Sequence, residues 1–133
     1  MSADYEFPKN LVEAQRTFYV QDQVIRRVVA LHPSPRLVAE GKAMVPEKLV
    51  TALAEARAKQ RAAVVTLYDF TGEFWEGMDL VGRRRAKDAL EAQVQKELDA
   101  AHLKAAVDEA VDWEALGQPD GAVDGTNGAL PRV

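Results

Sequence analysis

The stretch from Glu47 to Met78 constrains the fold more than any other part of this sequence. Its apolar residues recur at alternating steps of four and three. They are Leu49, Leu53, Ala56, Ala63, Leu67, Phe70 and Phe74, with Gln60 in the one gap. This spacing keeps one stripe of an α-helix facing a partner. Since no strand pattern appears elsewhere in the chain, the sequence predicts an all-α protein.

An earlier segment, from Lys9 to about Leu31, carries a matching stripe. It consists of Leu11, Ala14, Phe18, Gln21, Ile25 and Val28. The two segments predict an antiparallel helical hairpin, about 9–31 with 47–70, in which Gln21 faces Gln60. A slipped register would set an amide against hydrocarbon, which is unfavourable. The same pairing between two chains would satisfy both stripes, but the short 32–46 connection favours closure within one chain.

A third long helix is predicted over about 79–116, capped by Asp79 and ended by Gly117 and Pro119. From His102 onward the apolar series indicates that this helix either continues or restarts. A short helix is predicted over 35–40, with Gly41 as its stop, and a bend between Asp69 and Asp79. The architecture is thus a three-helix bundle, or coiled-coil-like, with one helical domain over 1–117. The tail 118–133 has turn dipeptides and little apolar mass, which predicts flexibility.

Composition limits the function classes. The 133 residues carry a net charge of −4 and no cysteine, so neither general attraction for nucleic acid nor thiol chemistry is expected. The first residues contain acids and no apolar core, unlike a signal peptide, and no apolar run is long enough to span a bilayer. We therefore expect no membrane association and a cytoplasmic location, or a virion location for a phage assembly protein.

Catalytic chemistry has no motif in this sequence. There is no phosphate-binding glycine loop, and the only serines are Ser2 and Ser34. His32 and His102 lack the spacing of a metal motif. We expect a protein that is not an enzyme, with no cofactor and no metal.

The densest group of large apolar side chains lies between residues 68 and 78, and it is the predicted partner-binding site. Its candidate residues are Tyr68, Phe74, Trp75 and Met78. Tryptophan and tyrosine dominate binding energies at protein interfaces. The alternative is a core plug where the third helix turns back.

Two charged segments allow further interpretations. The basic run Arg83, Arg84, Arg85 and Lys87 could be a solvated face with Arg84–Asp88 and Lys87–Glu91 ion pairs, a nucleic-acid contact, or a site for an acidic protein. The acidic stretch 108–114 either packs Val107, Ala110 and Trp113 on its own bundle or docks in a partner's groove.

Three runs, 11–16, 56–65 and 84–90, resemble small helical orphan proteins of actinobacteria and their phages. That resemblance implies no activity for any residue. The leading hypothesis is a non-enzymatic helical interaction or assembly protein that binds a protein partner or itself, as a phage or mobile-element accessory factor. The second is a small nucleic-acid-associated regulator that uses the basic run.

Overall fold

A computed structural model describes residues 6–73 and 77–117, with side chains over 6–68 and 77–117. Within these ranges the chain forms five α-helices and no strand, which confirms the predicted all-α class. The helices are α1 (Lys9–Ala30), α2 (Pro35–Ala39), α3 (Glu47–Glu73), α4 (Leu80–Glu97) and α5 (Ala100–Ala110). The tail predicted to be flexible lies outside the described residues.

Prolines and a glycine define the first helix boundaries, as the sequence indicates. Pro8 and Pro46 directly precede α1 and α3, and each carbonyl oxygen accepts a hydrogen bond from the first turn of its helix. Pro35 is the first residue of α2. Gly41 follows α2 with φ of 75°, a left-handed conformation that glycine adopts without a steric cost.

Helix α1 is the centre of the packing. It makes its most extensive contact with α3 and also contacts α4 and α5. Val20, Val24 and Gln15 are therefore buried in addition to residues of the predicted stripe. At 3.6 residues per turn, the buried positions alone cover roughly 220° of its circumference. The sequence predicts that the rest of the chain is arranged around residues 47–78. In the structure the central element is α1, because it packs against three other helices.

Helix α3 turns the narrow stripe that its sequence predicts toward the core from Leu49 to Leu67; the side chains of Phe70 and Phe74 lie outside the described residues. Leu49, Ala56 and Ala63 are buried, while Leu53 and Leu67 are half-buried. The predicted bend after Asp69 is wrong in its first part, because α3 continues through Gly72 to Glu73. A glycine inside a helix costs only about 1 kcal/mol relative to alanine. The chain turns later, at Gly77, where φ is 86°.

The helix predicted over 79–116 restarts near His102 and does not continue, so it is divided into two. Asp79 caps α4 as expected, with its carboxylate accepting from the amide of Gly82 at 2.7 Å. A second cap, Asp99, accepts from the amide of His102 at 2.9 Å and starts α5. Helix α5 ends at Ala110, because Val111 adopts an extended conformation with φ −142° and ψ 148°.

The two stripe glutamines do not bond to each other. The side-chain nitrogen of Gln60 donates to the backbone carbonyl of Phe18 at 3.3 Å. Gln21, the next stripe residue of α1, is 8% exposed. The amide of Gln60 is thus satisfied by the α1 backbone one turn before Gln21, and the predicted side-by-side placement of the two amides stays a prediction.

Candidate functional site

Of the four residues predicted to form the partner-binding site, the structure describes the first and the last, Tyr68 and Met78. Tyr68, in the last part of α3, is 71% exposed. Met78 lies just before α4 and is half-buried. Phe74 and Trp75 fall outside the described residues. The side chain of Tyr68 therefore lies outside the buried core.

The basic run occupies the first two turns of α4, and all four of its side chains are exposed. The guanidinium of Arg83 donates to the carbonyl of Met78 at 3.1 Å, which ties the run to the turn before the helix. The predicted pairs Arg84–Asp88 and Lys87–Glu91 are absent among the side chains that the structure describes. Arg26–Asp22, with the same one-turn separation, does form at 3.1 Å.

Two apolar residues beside the basic run were not predicted as site residues. Leu80 is 82% exposed and Val81 is 58% exposed. The buried face of α4 consists of Ala86, Leu90 and Val94. Val81 precedes Leu90 by nine positions, which sets it on the opposite side of the helix at 100° per residue. This phase difference can be read from the sequence, so the exposure of Val81 was predictable.

A second polar cluster joins α1 to α5 around Trp113. The guanidinium of Arg27 lies 4.1 Å from the centre of the Trp113 ring and donates to Asp108 at 2.7 Å. The indole nitrogen donates to the carbonyl of Val107 at 2.9 Å. Trp113 is only 6% exposed. The acidic stretch therefore packs on its own bundle, as one of the two interpretations predicts, and the cluster holds α5 in place.

Two carboxyl groups, those of Asp108 in α5 and of Asp99 that caps it, have pKa values below the ordinary one. Hydrogen bonds from the backbone and side chain of His102 lower the pKa of Asp99 below its ordinary value of 3.8. Burial opposes ionisation of Asp108, but hydrogen bonds from Arg27 and Lys104 outweigh it and lower the pKa of that carboxyl as well. Both groups therefore favour the folded state when they are ionised.

Because the pKa values of Asp99 and Asp108 are lowered in the folded state, we expect acid to destabilise α5. The folded pKa values lie below the unfolded ones, so the stabilisation is present above about pH 4 and is lost as pH falls through the folded values. Melting temperatures followed by circular dichroism between pH 6 and pH 2 should fall more steeply for the natural chain than for Asp99→Asn/Asp108→Asn. Asparagine is an equally good helix cap and does not titrate. Equal slopes would contradict the assignment.

A shallow groove lies between the start of α3 and the turn after α5. Its volume is about 510 Å³, and its lining includes Glu47, Glu55, Asp112 and Leu116. Within 6–68 and 77–117, no group of three or more acidic or histidine side chains could hold a metal ion. The groove is open and carries no arrangement of residues typical of catalysis.

These features define a small all-α protein built around α1, with exposed apolar and basic side chains on α3 and α4. Comparison of the chain with protein-family models, curated proteins and solved structures finds no match. The resemblance to actinobacterial and phage proteins stays a prediction. Among the described helices, none is sufficiently long and apolar to cross a bilayer.

Proposed function

We propose that this chain is a non-enzymatic helical interaction or assembly protein. The observation that carries the proposal is the exposure of three large apolar side chains. Tyr68 precedes residues 74–76 in the sequence, and Leu80 and Val81 follow them. Exposed apolar patches are typical of protein-binding surfaces. The predicted binding residues Tyr68, Phe74, Trp75 and Met78 belong to the same stretch of chain.

The proposed scaffold for this surface is the antiparallel hairpin of α1 and α3 within one chain. The extensive contact between the two helices and the hydrogen bond from Gln60 to Phe18 support it. The short 31–46 connection favours antiparallel neighbours over parallel ones. In this arrangement the end of α3 that bears Tyr68 projects away from the α2 connection.

Affinity capture from the source lysate tests the proposal. The natural chain should retain a defined protein, and Tyr68→Ala should reduce its recovery by about tenfold or more, because removing an interface tyrosine costs on the order of 2 kcal/mol. Met44→Ala is the matched control, since Met44 is 86% exposed but lies in the connection before α3. Circular dichroism should be unchanged in both variants. Identical recovery by Tyr68→Ala and the natural chain would overturn the proposed site.

A second candidate is a nucleic-acid-associated regulator. It is favoured by the exposure of Arg84, Arg85 and Lys87, none of which forms an ion pair among the described side chains. Unpaired cations along one helix are suited to phosphate contacts. Recovery of nucleic acid in the same capture, lost in Arg84→Gln/Arg85→Gln but not in Tyr68→Ala, would favour this candidate over the first.

A further inference from the structure

Helix α3 carries a second stripe that none of the described elements covers. We call it the outer stripe; it consists of Val50, Ala54, Arg57, Arg61, Val65 and Tyr68. Its positions again recur at steps of three and four, and most follow a residue of the buried stripe by one. The outer stripe is therefore rotated by about 100° from the face that packs on α1.

The outer stripe is exposed along its whole length. Val50 is 51% exposed and Val65 is 52% exposed, and Ala54, Arg57 and Arg61 are also exposed. Apolar residues at helical spacing on a solvent-facing surface are typical of a helix that accepts a second helix. Helix α3 thus has two packing faces, of which the other described helices use one.

Charge identifies the kind of helix that fits. Arg57 and Arg61 lie one turn apart in the middle of the outer stripe, and neither forms an ion pair in the described part of the chain. No acidic residue belongs to the stripe. The surface is therefore apolar toward both ends and positively charged at its centre.

The outer stripes of two copies of this chain do not fit each other in register. An antiparallel pairing that sets Val50 opposite Tyr68 of the other copy also sets Arg57 opposite its Arg61. A parallel pairing sets each arginine against itself. Like charges facing each other across a helix–helix seam are destabilising. The stripe therefore disfavours self-association through α3 and calls for carboxylates on the partner.

We propose that the outer stripe of α3 binds an acidic amphipathic helix of a partner protein. Two carboxylates one turn apart on that helix pair with Arg57 and Arg61, and apolar side chains on either side of them pack on Val50 and Val65. This inference rests on the proposed function and specifies its partner class. It also extends the surface that ends at Tyr68 along the length of α3.

Fluorescence anisotropy with two labelled peptides tests the inference. The probe is an alanine-based helical peptide of about 20 residues, with leucine toward both ends of one stripe and glutamate at two central stripe positions one turn apart. The control peptide has lysine at those two positions. The natural chain should bind the glutamate peptide about tenfold more tightly. Arg57→Glu/Arg61→Glu should reverse this preference.

Lys48→Glu/Lys59→Glu is the matched control for the charge reversal. Both lysines are exposed on α3 but lie outside the outer stripe, so this variant should keep the preference of the natural chain. Circular dichroism verifies that both variants remain helical. The inference is overturned if the natural chain does not bind the glutamate peptide, if the preference does not reverse, or if a DNA duplex binds in place of the peptide. It is also overturned if light scattering shows dimers that Arg57→Glu/Arg61→Glu dissociates.

The result is independent of the capture experiment. If Tyr68→Ala loses the captured protein and the natural chain does not bind the glutamate peptide, the proposed function is retained and the acidic helix is rejected as its partner. If the peptide preference reverses in Arg57→Glu/Arg61→Glu but no protein is captured, the outer stripe is retained as a helix-binding surface and the proposed function is rejected.

Discussion

Leu90→Ala should lower the free energy of unfolding by about 2–5 kcal/mol. Leu90 is 2% exposed and belongs to the cluster in which α4 joins the core formed by α1. Removing its side chain loses apolar burial and leaves a cavity, since close-packed neighbours relax only partly. Because a domain of this size has a total stability of about 5–15 kcal/mol, the change is a large fraction of it. Urea denaturation followed by circular dichroism measures it.

Leu80→Ala, a leucine-to-alanine substitution at an exposed position of α4, is the control. Leu80 is 82% exposed, so Leu80→Ala should change the free energy of unfolding by no more than about 0.5 kcal/mol. A loss as large as that of Leu90→Ala would mean that Leu80 is covered. Equal, small effects for both variants would mean that α4 is not part of the cooperative core.

Trp113→Ala should lower the free energy of unfolding by about 3–5 kcal/mol. Three interactions are lost together: burial of the ring, its contact with the Arg27 guanidinium, and the hydrogen bond to the carbonyl of Val107. The carbonyl lies at the end of α5, where helical carbonyls have no partner within the helix. Amide hydrogen exchange should accelerate in α5 more than in α3, because Trp113 holds α5 against α1.

Trp113→Phe separates these contributions. It keeps an aromatic ring near Arg27 but removes the indole N–H, so we expect a smaller loss, on the order of 1–3 kcal/mol. Arg27 also retains its ion pair with Asp108. If amide hydrogen exchange accelerates equally in every helix of Trp113→Ala and Trp113→Phe, Trp113 does not act locally on α5. It would then stabilise the core as a whole.

The candidate site is only partly predictable from the sequence. Tyr68 and the basic run could be selected because their residue types dominate interfaces and phosphate contacts. The exposure of Leu80 could have been predicted only by knowing which face of α4 packs on α1. The ion pairs expected for Arg84 and Lys87 do not form, since a one-turn separation permits a surface pair but stabilises it by only a few tenths of a kcal/mol.

The sequence by itself determines where α1, α2, α3 and α4 begin and which class of fold they form. Pro8, Pro35 and Pro46 restrict the backbone locally, Gly41 supplies a left-handed stop, and the Asp79 carboxylate caps the helix that follows it. These effects act within a few residues and need no tertiary contact. The stripes at helical spacing then require an all-α protein, because only helices bring those apolar residues onto common faces.

Tertiary structure alone decides that α1 is the central helix. Val20 and Val24 lie away from the stripe that packs on α3, and their burial follows from contact with elements distant in sequence. It also decides that Trp113 packs inward while Tyr68 stays exposed, although each is an aromatic residue next to an aspartate in the sequence. Burial is a property of how helices pack together, and the spacing within one helix cannot specify how many neighbours will cover it.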